Sequence, residues 1–208
     1  FSVLLSHLSQ AAKYEQDVAT GRWSACKDFT FFDHPIPALN QKKIGIVGLG
    51  NIGQKVLNVF LAFGCEVYSW DQSSNRLDTV RYLPWDELLA TVDVLTLHLP
   101  LNIDTKQMIN GDSLSMMKHD AILINTARGG HIHEDSLANH LIANPQFTAL
   151  LDVMSQEPTT SDNPLVGLPN CHITPHQAWA GFAARTKLMN LMVEAIEYFL
   201  ANEKGSLV

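Results

Sequence analysis

Three side chains in the second half of the sequence could together perform acid–base chemistry on a small carbonyl compound: Arg128, Glu157 and His176. An arginine beside glycines can polarise a carbonyl oxygen and hold a carboxylate through two parallel hydrogen bonds. A histidine can donate a proton in one direction of a reaction and accept it in the other. A glutamate bonded to the far ring nitrogen fixes the tautomer and favours the imidazolium. The set fits reduction of a 2-keto acid, because hydride transfer to a carbonyl carbon leaves negative charge on its oxygen.

A glycine-rich loop could hold the cofactor that exchanges the hydride. Gly48, Gly50 and Gly53 form a G-x-G-x-x-G motif, with Asn51 and Ile52 between the second and third glycines. The first glycine permits a tight turn, the second lets the backbone approach a pyrophosphate, and the third lets helix and strand pack closely. The following helix offers unpaired N–H groups to the phosphates. The motif therefore predicts a dinucleotide site.

Asp71 ends the second apolar run and is the candidate for choosing between the two nicotinamide cofactors. A carboxylate at this position accepts hydrogen bonds from the ribose hydroxyls of NAD and repels the extra phosphate of NADP. Arg76 lies close by in the sequence and could accommodate that phosphate. The sequence favours NAD and leaves a strict preference open.

The elements that must position these residues alternate regularly along the chain. Apolar runs of strand length occur at residues 44–49, 65–70, 92–99, 121–125, 147–153 and 172–174. Helical patterns occur at residues 54–63, 84–91, 112–119, 134–144 and 188–200, and one amphipathic helix is expected over residues 3–15. This alternation predicts an α/β fold with a doubly wound parallel sheet and a helix at each end.

Residues able to do chemistry follow the ends of the predicted strands. In open α/β sheets, ligands bind beyond the carboxyl ends of the strands. After the glycine loop and Asp71, the residues at these ends are Pro100, Thr105, Thr126, Ala127, Arg128, Asp152, Glu157 and His176. Their convergence predicts one site along one edge of the sheet.

Composition narrows the class of protein. The chain has 208 residues, of which 46% are apolar and 17% charged, so it can form a core and is neither disordered nor a disulfide scaffold. A net charge of −7 without a basic run excludes an evident nucleic-acid or anionic-membrane surface. The three widely spaced cysteines are interpreted as free thiols of a cytoplasmic protein. No run approaches the ~20 apolar residues that a membrane span needs.

The motifs together resemble the D-isomer-specific 2-hydroxyacid dehydrogenase family. The matching segments are 44–53, Asp71, 98–101, 123–130, 151–153 with 157–158, and 173–176, in family order. The resemblance implies a Rossmann-type fold and a catalytic role for Arg128, Glu157 and His176. It also implies that Asp152 contacts the nicotinamide side of the cofactor, and that Thr126 and Ala127 line the cofactor through their backbone.

The resemblance also implies an activity, namely NAD-dependent interconversion of a 2-keto acid and a D-2-hydroxy acid. The segment 21–36 is similar to glycerate dehydrogenase (hydroxypyruvate reductase) members, which favours hydroxypyruvate or glyoxylate as substrate. Family members form a homodimer through the cofactor domain. The same is expected here, with Trp23 and the aromatic arm of residues 21–40 crossing the two-fold axis.

The expected domains are a dinucleotide-binding domain with its N-terminal helix and arm (residues 1–178) and a C-terminal helix (residues 179–208). In the family, that helix returns to a substrate domain built mostly from a preceding region. Because Phe1 is not an initiator methionine, the chain is interpreted as starting inside a longer protein. On its own it should bind NAD but turn over poorly.

The sequence leaves other functions open. A non-catalytic, NAD(H)-responsive binding module of the C-terminal-binding-protein corepressor type would carry the same triad, and the phosphoglycerate dehydrogenase branch is a third possibility. His131 and His133 could bind a metal, but two histidines without a carboxylate or cysteine make a poor site. No metal is therefore expected. His98 is expected to brace a loop through hydrogen bonds.

Overall fold

The computed structural model describes residues 1–70 and 77–203. The chain divides into two compact units, Phe1–Ile173 and Thr174–Val208. Within the described ranges, no helix combines the length and apolarity that crossing a bilayer requires.

Seven parallel strands form the sheet of the first unit, in the spatial order β3-β2-β1-β4-β5-β6-β7. They are β1 (Lys43–Val47), β2 (Glu66–Trp70), β3 (Arg81–Tyr82), β4 (Val94–Leu97), β5 (Ile122–Asn125), β6 (Thr148–Leu151) and β7 (Cys171–Ile173). The order reverses between β1 and β4, which opens a crevice at the carboxyl ends of these two strands. The fold is the predicted doubly wound, Rossmann-type α/β architecture. The sequence patterns missed β3, because two residues are too short to show a period.

Helices cover both faces of this sheet. They are α1 (Ser2–Ser9), α2 (Ala11–Ala19), α3 (Asn51–Ala62), α4 (Trp85–Thr91), α5 (Gly111–Met116) and α6 (Glu134–Ala143). Short 3-10 turns occur at Leu39–Gln41 and Gly129–His131. The second unit contains α7 (Phe182–Glu203), which begins before the predicted start at residue 188.

The core lies in two layers, one on each face of the sheet. Successive residues along a strand point to opposite faces of the sheet. Ile46 of β1 belongs to the cluster on one face, and Leu95 of β4 belongs to the cluster on the other. Leu4 of α1 and Phe60 of α3 complete the first cluster. Side chains of α4, α5 and α6, with Leu114 buried among them, complete the second. Burial on both faces explains why the central strands were visible as continuous apolar runs.

The prediction of one helix over residues 3–15 is wrong, because the helix is interrupted at Gln10. Gln10 adopts a left-handed conformation with φ of 52°, and its N–H bonds to the Ser6 carbonyl. Its side-chain amide also donates to the carbonyl of His7, which stabilises the break. As a consequence Leu4 and Leu8 of α1 are buried, whereas no side chain of α2 is.

The cysteines are free thiols, as predicted. Cys26 is partly exposed, and Cys65 and Cys171 are buried. Burial, with a smaller contribution from Glu134, raises the pKa of Cys171 to about 12. Cys171 therefore stays protonated and unreactive at neutral pH.

Candidate active site

Two glycines of the glycine loop lie where a side chain would collide with the backbone. Gly48 directly follows β1 with φ of 88°, and a Cβ there would lie 2.8 Å from the carbonyl oxygen of His98. A Cβ on Gly53, in the first turn of α3, would lie 2.1 Å from the Gly48 carbonyl oxygen. Glycine at these two positions lets the turn close against β4 and lets α3 pack against the end of β1.

Gly50 has different surroundings. It precedes the first turn of α3, where no side chain caps the helix. Among the described residues, a Cβ on Gly50 would meet nothing within 4 Å, and the neighbouring Asn51 and Ile52 are exposed. The unpaired N–H groups of this first turn therefore face an open space with a positive potential. These residues fit the pyrophosphate of a dinucleotide.

Asp71 and Arg76 lie outside the described residues, so their part in choosing the cofactor stays a prediction. The last described residue before them, Trp70, pairs in register with Val47. The Gly48 N–H also bonds to the Trp70 carbonyl at 3.1 Å. Strands β1 and β2 thus end side by side, directly before the glycine loop and Asp71 respectively.

His98 follows β4 and supports the crevice from behind the glycine loop. Its N–H bonds to the Val47 carbonyl at 2.8 Å. Its ring Nε2 lies 2.9 Å from the Thr96 hydroxyl, two residues earlier in the chain and within β4. Bracing of the following loop by the His98 ring stays a prediction. Burial lowers the pKa of His98 to about 4, so the ring is neutral at physiological pH.

The loop after His98 is closed by the buried Thr105. Its hydroxyl donates to the Pro100 carbonyl at 2.8 Å and accepts from the Asn102 N–H at 2.9 Å. The structure therefore gives the Thr105 hydroxyl a role inside the loop. Contact of Pro100 and Thr105 with the cofactor stays a prediction.

The loop after β5, which carries Arg128, is shaped by the fully buried Asn125. The Asn125 side-chain oxygen accepts from the Ala127 N–H at 3.0 Å, and its amide donates to the Arg128 carbonyl at 2.9 Å. Thr126 and Arg128 are exposed. The Arg128 guanidinium donates to the Ala127 carbonyl at 2.6 Å. Asn125 was missed as a site residue, although a polar residue ending an apolar strand was a visible signal.

The backbone at Met154 lies against Gly129, the residue after Arg128, and also bonds to the side chain of Glu157. A Cβ on Gly129, next to Arg128, would lie 1.9 Å from the Met154 carbonyl carbon, so only glycine fits there. The Glu157 carboxylate accepts from the Met154 N–H at 2.9 Å. Asp152 is buried at the end of β6, where its N–H bonds to the Asn125 carbonyl at 2.9 Å. The structure thus brings the loops after β5 and β6 together.

Glu134 is a second residue that sequence reasoning missed. It stands in the first turn of α6, and its two carboxylate oxygens accept from the Ser155 N–H and the Asn163 amide, each at 2.7 Å. These bonds fasten the segment that carries Glu157 at two points. The sequence offered no signal beyond an acidic residue at the start of a helix.

The two histidines weighed as metal ligands have other partners. The ring nitrogens of the buried His131 each lie 3.1 Å from a carbonyl oxygen, of Thr105 and of Leu99. His133 accepts from the Ser136 N–H at the start of α6. Among the described residues, no group of three or more potential ligands could hold a metal ion.

His176 belongs to the second unit. It is exposed and has φ of 48°, a left-handed conformation that few residues other than glycine adopt. Its N–H bonds to the Thr174 carbonyl at 2.9 Å. The approach of His176 to Arg128 and Glu157 stays a prediction.

Comparison with known families gives a match over most of the chain. Residues 1–178 match the family described as D-isomer specific 2-hydroxyacid dehydrogenase, NAD binding domain. A hydroxypyruvate reductase from Blautia hydrogenotrophica is 38% identical over 208 residues, covering 99% of this chain and 64% of the relative. A glycerate dehydrogenase from Methylorubrum extorquens is 37% identical over 199 residues, covering 94% and 62%. The chain spans less than two thirds of these relatives.

Solved structures of similar proteins share the fold. The D-lactate dehydrogenase from Aquifex aeolicus, complexed with NAD and lactic acid, superposes with a TM-score of 0.83 at 26% identity, covering 100% of this chain and 66% of that one. The acyclic imino acid reductase Bsp5, in complex with NADPH and D-Arg, has a TM-score of 0.82 at 32% identity, covering 96% and 62%.

Proposed function

Since this chain belongs to the D-isomer-specific 2-hydroxyacid dehydrogenase family, as part of its NAD-binding domain, we propose that the protein interconverts a 2-keto acid and a D-2-hydroxy acid with NAD(H). The observation that carries the proposal is the open first turn of α3 beside Gly50, at the same sheet edge as the loop that presents Arg128. Hydroxypyruvate or glyoxylate is the preferred substrate, an assignment supported by relatives named hydroxypyruvate reductase and glycerate dehydrogenase.

Each side chain has a defined task in this proposal. NAD(H), when bound, supplies the hydride in reduction and accepts it in oxidation. Arg128 binds the substrate carboxylate and polarises the carbonyl oxygen, on which negative charge develops. His176 gives its proton to that oxygen in reduction and takes it back from the hydroxyl in oxidation. Glu157 orients the imidazole and favours its charged form.

The activity can be tested in the full-length protein, because this chain alone is expected to turn over poorly, by following NADH oxidation with hydroxypyruvate, glyoxylate and pyruvate. We expect turnover with at least one of the first two. His176→Ala should slow turnover ~10²–10⁴-fold, because it removes the general acid, while NADH binding, read by fluorescence, persists. His119→Ala removes an exposed histidine elsewhere and is the matched control. NADH binding without turnover on any 2-keto acid would reject the enzyme and favour a binding module.

A homodimer in the cytoplasm completes the proposal. Large aromatic side chains of the arm are exposed in the single chain, with Trp23 52%, Phe32 78% and Phe29 89% accessible. Such a patch favours association, and the three free thiols fit a reducing compartment. Light scattering should give the mass of a dimer for the wild-type protein and a monomer for the double variant Phe29→Ser/Phe32→Ser. A dimer of unchanged stability in that variant would place the interface elsewhere.

A further inference from the structure

A cavity of about 710 Å³ lies at the sheet edge opposite to the candidate active site. Its wall is formed by α1 and the start of α2 on one side, and by residues 145–148 and 169–172 on the other. The latter two segments contain the amino ends of β6 and β7, whereas the glycine loop and the Arg128 loop follow carboxyl ends. The cavity is therefore separate from the site described above.

Every titratable side chain that lines this cavity is basic. His7 comes from α1, Lys13 from α2 and His172 from β7, and no carboxylate contributes to the described wall. The rings of His7 and His172 have centroids 5.7 Å apart. The Thr148 hydroxyl lies 3.5 Å from Nε2 of His7 and can serve as a neutral donor. Since the chain carries a net charge of −7, this concentration of basic groups does not follow from composition.

The basic groups disfavour one another's charge in the absence of a counter-ion. Burial, and after it the positive charges of His172 and Lys13, lowers the pKa of His7. An anion placed among the three groups would supply the missing opposite charge and favour the protonated rings. A metal cation would meet only two imidazoles, fewer than the ligands zinc requires, and would be repelled by Lys13.

We propose that this cavity is a binding site for a tetrahedral oxyanion, either free or as a phosphate ester, held by His7, Lys13 and His172. Lys13 and His172 provide hydrogen-bond donors to the anion, and His7 provides a positive charge that the anion would favour. Because the pKa of His7 is lowered in the free protein, binding of the anion is accompanied by proton uptake at His7, and the affinity rises as the pH falls.

The proposal can be tested by NMR of the histidine ring protons during titration with sodium sulfate, whose charge is constant over the range used. Sodium chloride holds the ionic strength constant, and the titration is run at about pH 6 and about pH 8. We expect saturable shifts for His7 and His172, with tighter binding at the lower pH. A second titration with glycerol 3-phosphate separates the two sources. Tighter binding than sulfate identifies an ester as the ligand, and equal binding identifies the free ion.

Matched variants separate a built site from general attraction of anions. Lys13→Met and His172→Gln, both at exposed positions, should each weaken sulfate binding about tenfold, the loss expected for one charge-assisted contact. Lys27→Met and His119→Gln make the same changes at exposed positions outside the cavity and should leave the affinity unchanged. Shifts that do not saturate, or equal losses in the controls, would overturn the proposal.

Discussion

The glycine loop after β1 and the Arg128 loop after β5 are held in place in different ways. Both end a buried strand of one parallel sheet, and both use a glycine where a Cβ would overlap the backbone of a neighbouring loop. The first is supported by backbone groups, since Gly48 rests on the His98 carbonyl. The second is supported by a buried side chain, because Asn125 bonds to Ala127 and Arg128. Backbone support leaves a glycine pattern in the sequence, whereas support by one asparagine does not.

The largest expected effect distinguishes Gly129, where a side chain would overlap a neighbouring backbone, from Gly50, where the space is open. Gly129→Ala should lower the free energy of unfolding by about 3 kcal/mol, because its Cβ would lie 1.9 Å from the Met154 backbone, which cannot yield as a flexible side chain would. Gly50→Ala should cost less than about 1 kcal/mol, since the substitution changes only the residue type at the N-cap of α3. It should instead weaken NADH binding by crowding the open first turn. Urea unfolding and NADH fluorescence measure the two quantities.

A reversed result would remove the distinction drawn between Gly129 and Gly50. If Gly50→Ala unfolded the protein and left NADH affinity unchanged, the open space beside α3 would not be a phosphate site. If Gly129→Ala were as stable as the wild-type protein, the loops after β5 and β6 would not depend on their close approach.

The same difference between the two loops decides which features could be predicted from the sequence. The sheet was predictable because its strands are apolar on both faces. The glycine loop was predictable because Gly48 and Gly53 serve a steric need and Gly50 leaves room for a pyrophosphate. Asn125 and Glu134 act through single hydrogen-bonded contacts between segments distant in sequence, which no local period records. The break at Gln10 was also hidden, because the apolar residues before and after it keep a helical spacing.

The second expected effect tests whether support of the glycine loop depends on pH. His98 has a folded pKa of about 4, against an ordinary value of 6.5. The unfolded chain therefore binds the proton more readily, so stability is full above pH ~6.5 and is lost as the pH falls towards 4. Between pH 7 and pH 5 this should cost the wild-type protein about 2 kcal/mol. His98→Gln keeps a partner for Thr96 and should remove that part of the pH dependence.

Urea unfolding of both proteins at the two pH values measures this difference directly. The Asn125 amide does not titrate, so the Arg128 loop has no comparable dependence on pH. An identical loss of stability in the wild-type protein and in His98→Gln would show that other groups govern the acid response.

The smallest expected effect concerns Glu134, which fastens the segment after β6 and so completes the side-chain support of the second loop. Glu134→Gln keeps one acceptor oxygen but places an amide where the second donor now bonds, and should cost about 1–2 kcal/mol. Asp135→Asn makes the same change at the exposed neighbour in the same helical turn and should stay within about 0.5 kcal/mol. Hydrogen exchange at the Ser155 amide should accelerate in the first variant alone. Since Glu157 lies on the fastened segment, equal exchange in both variants would mean that Glu134 does not position the candidate catalytic glutamate.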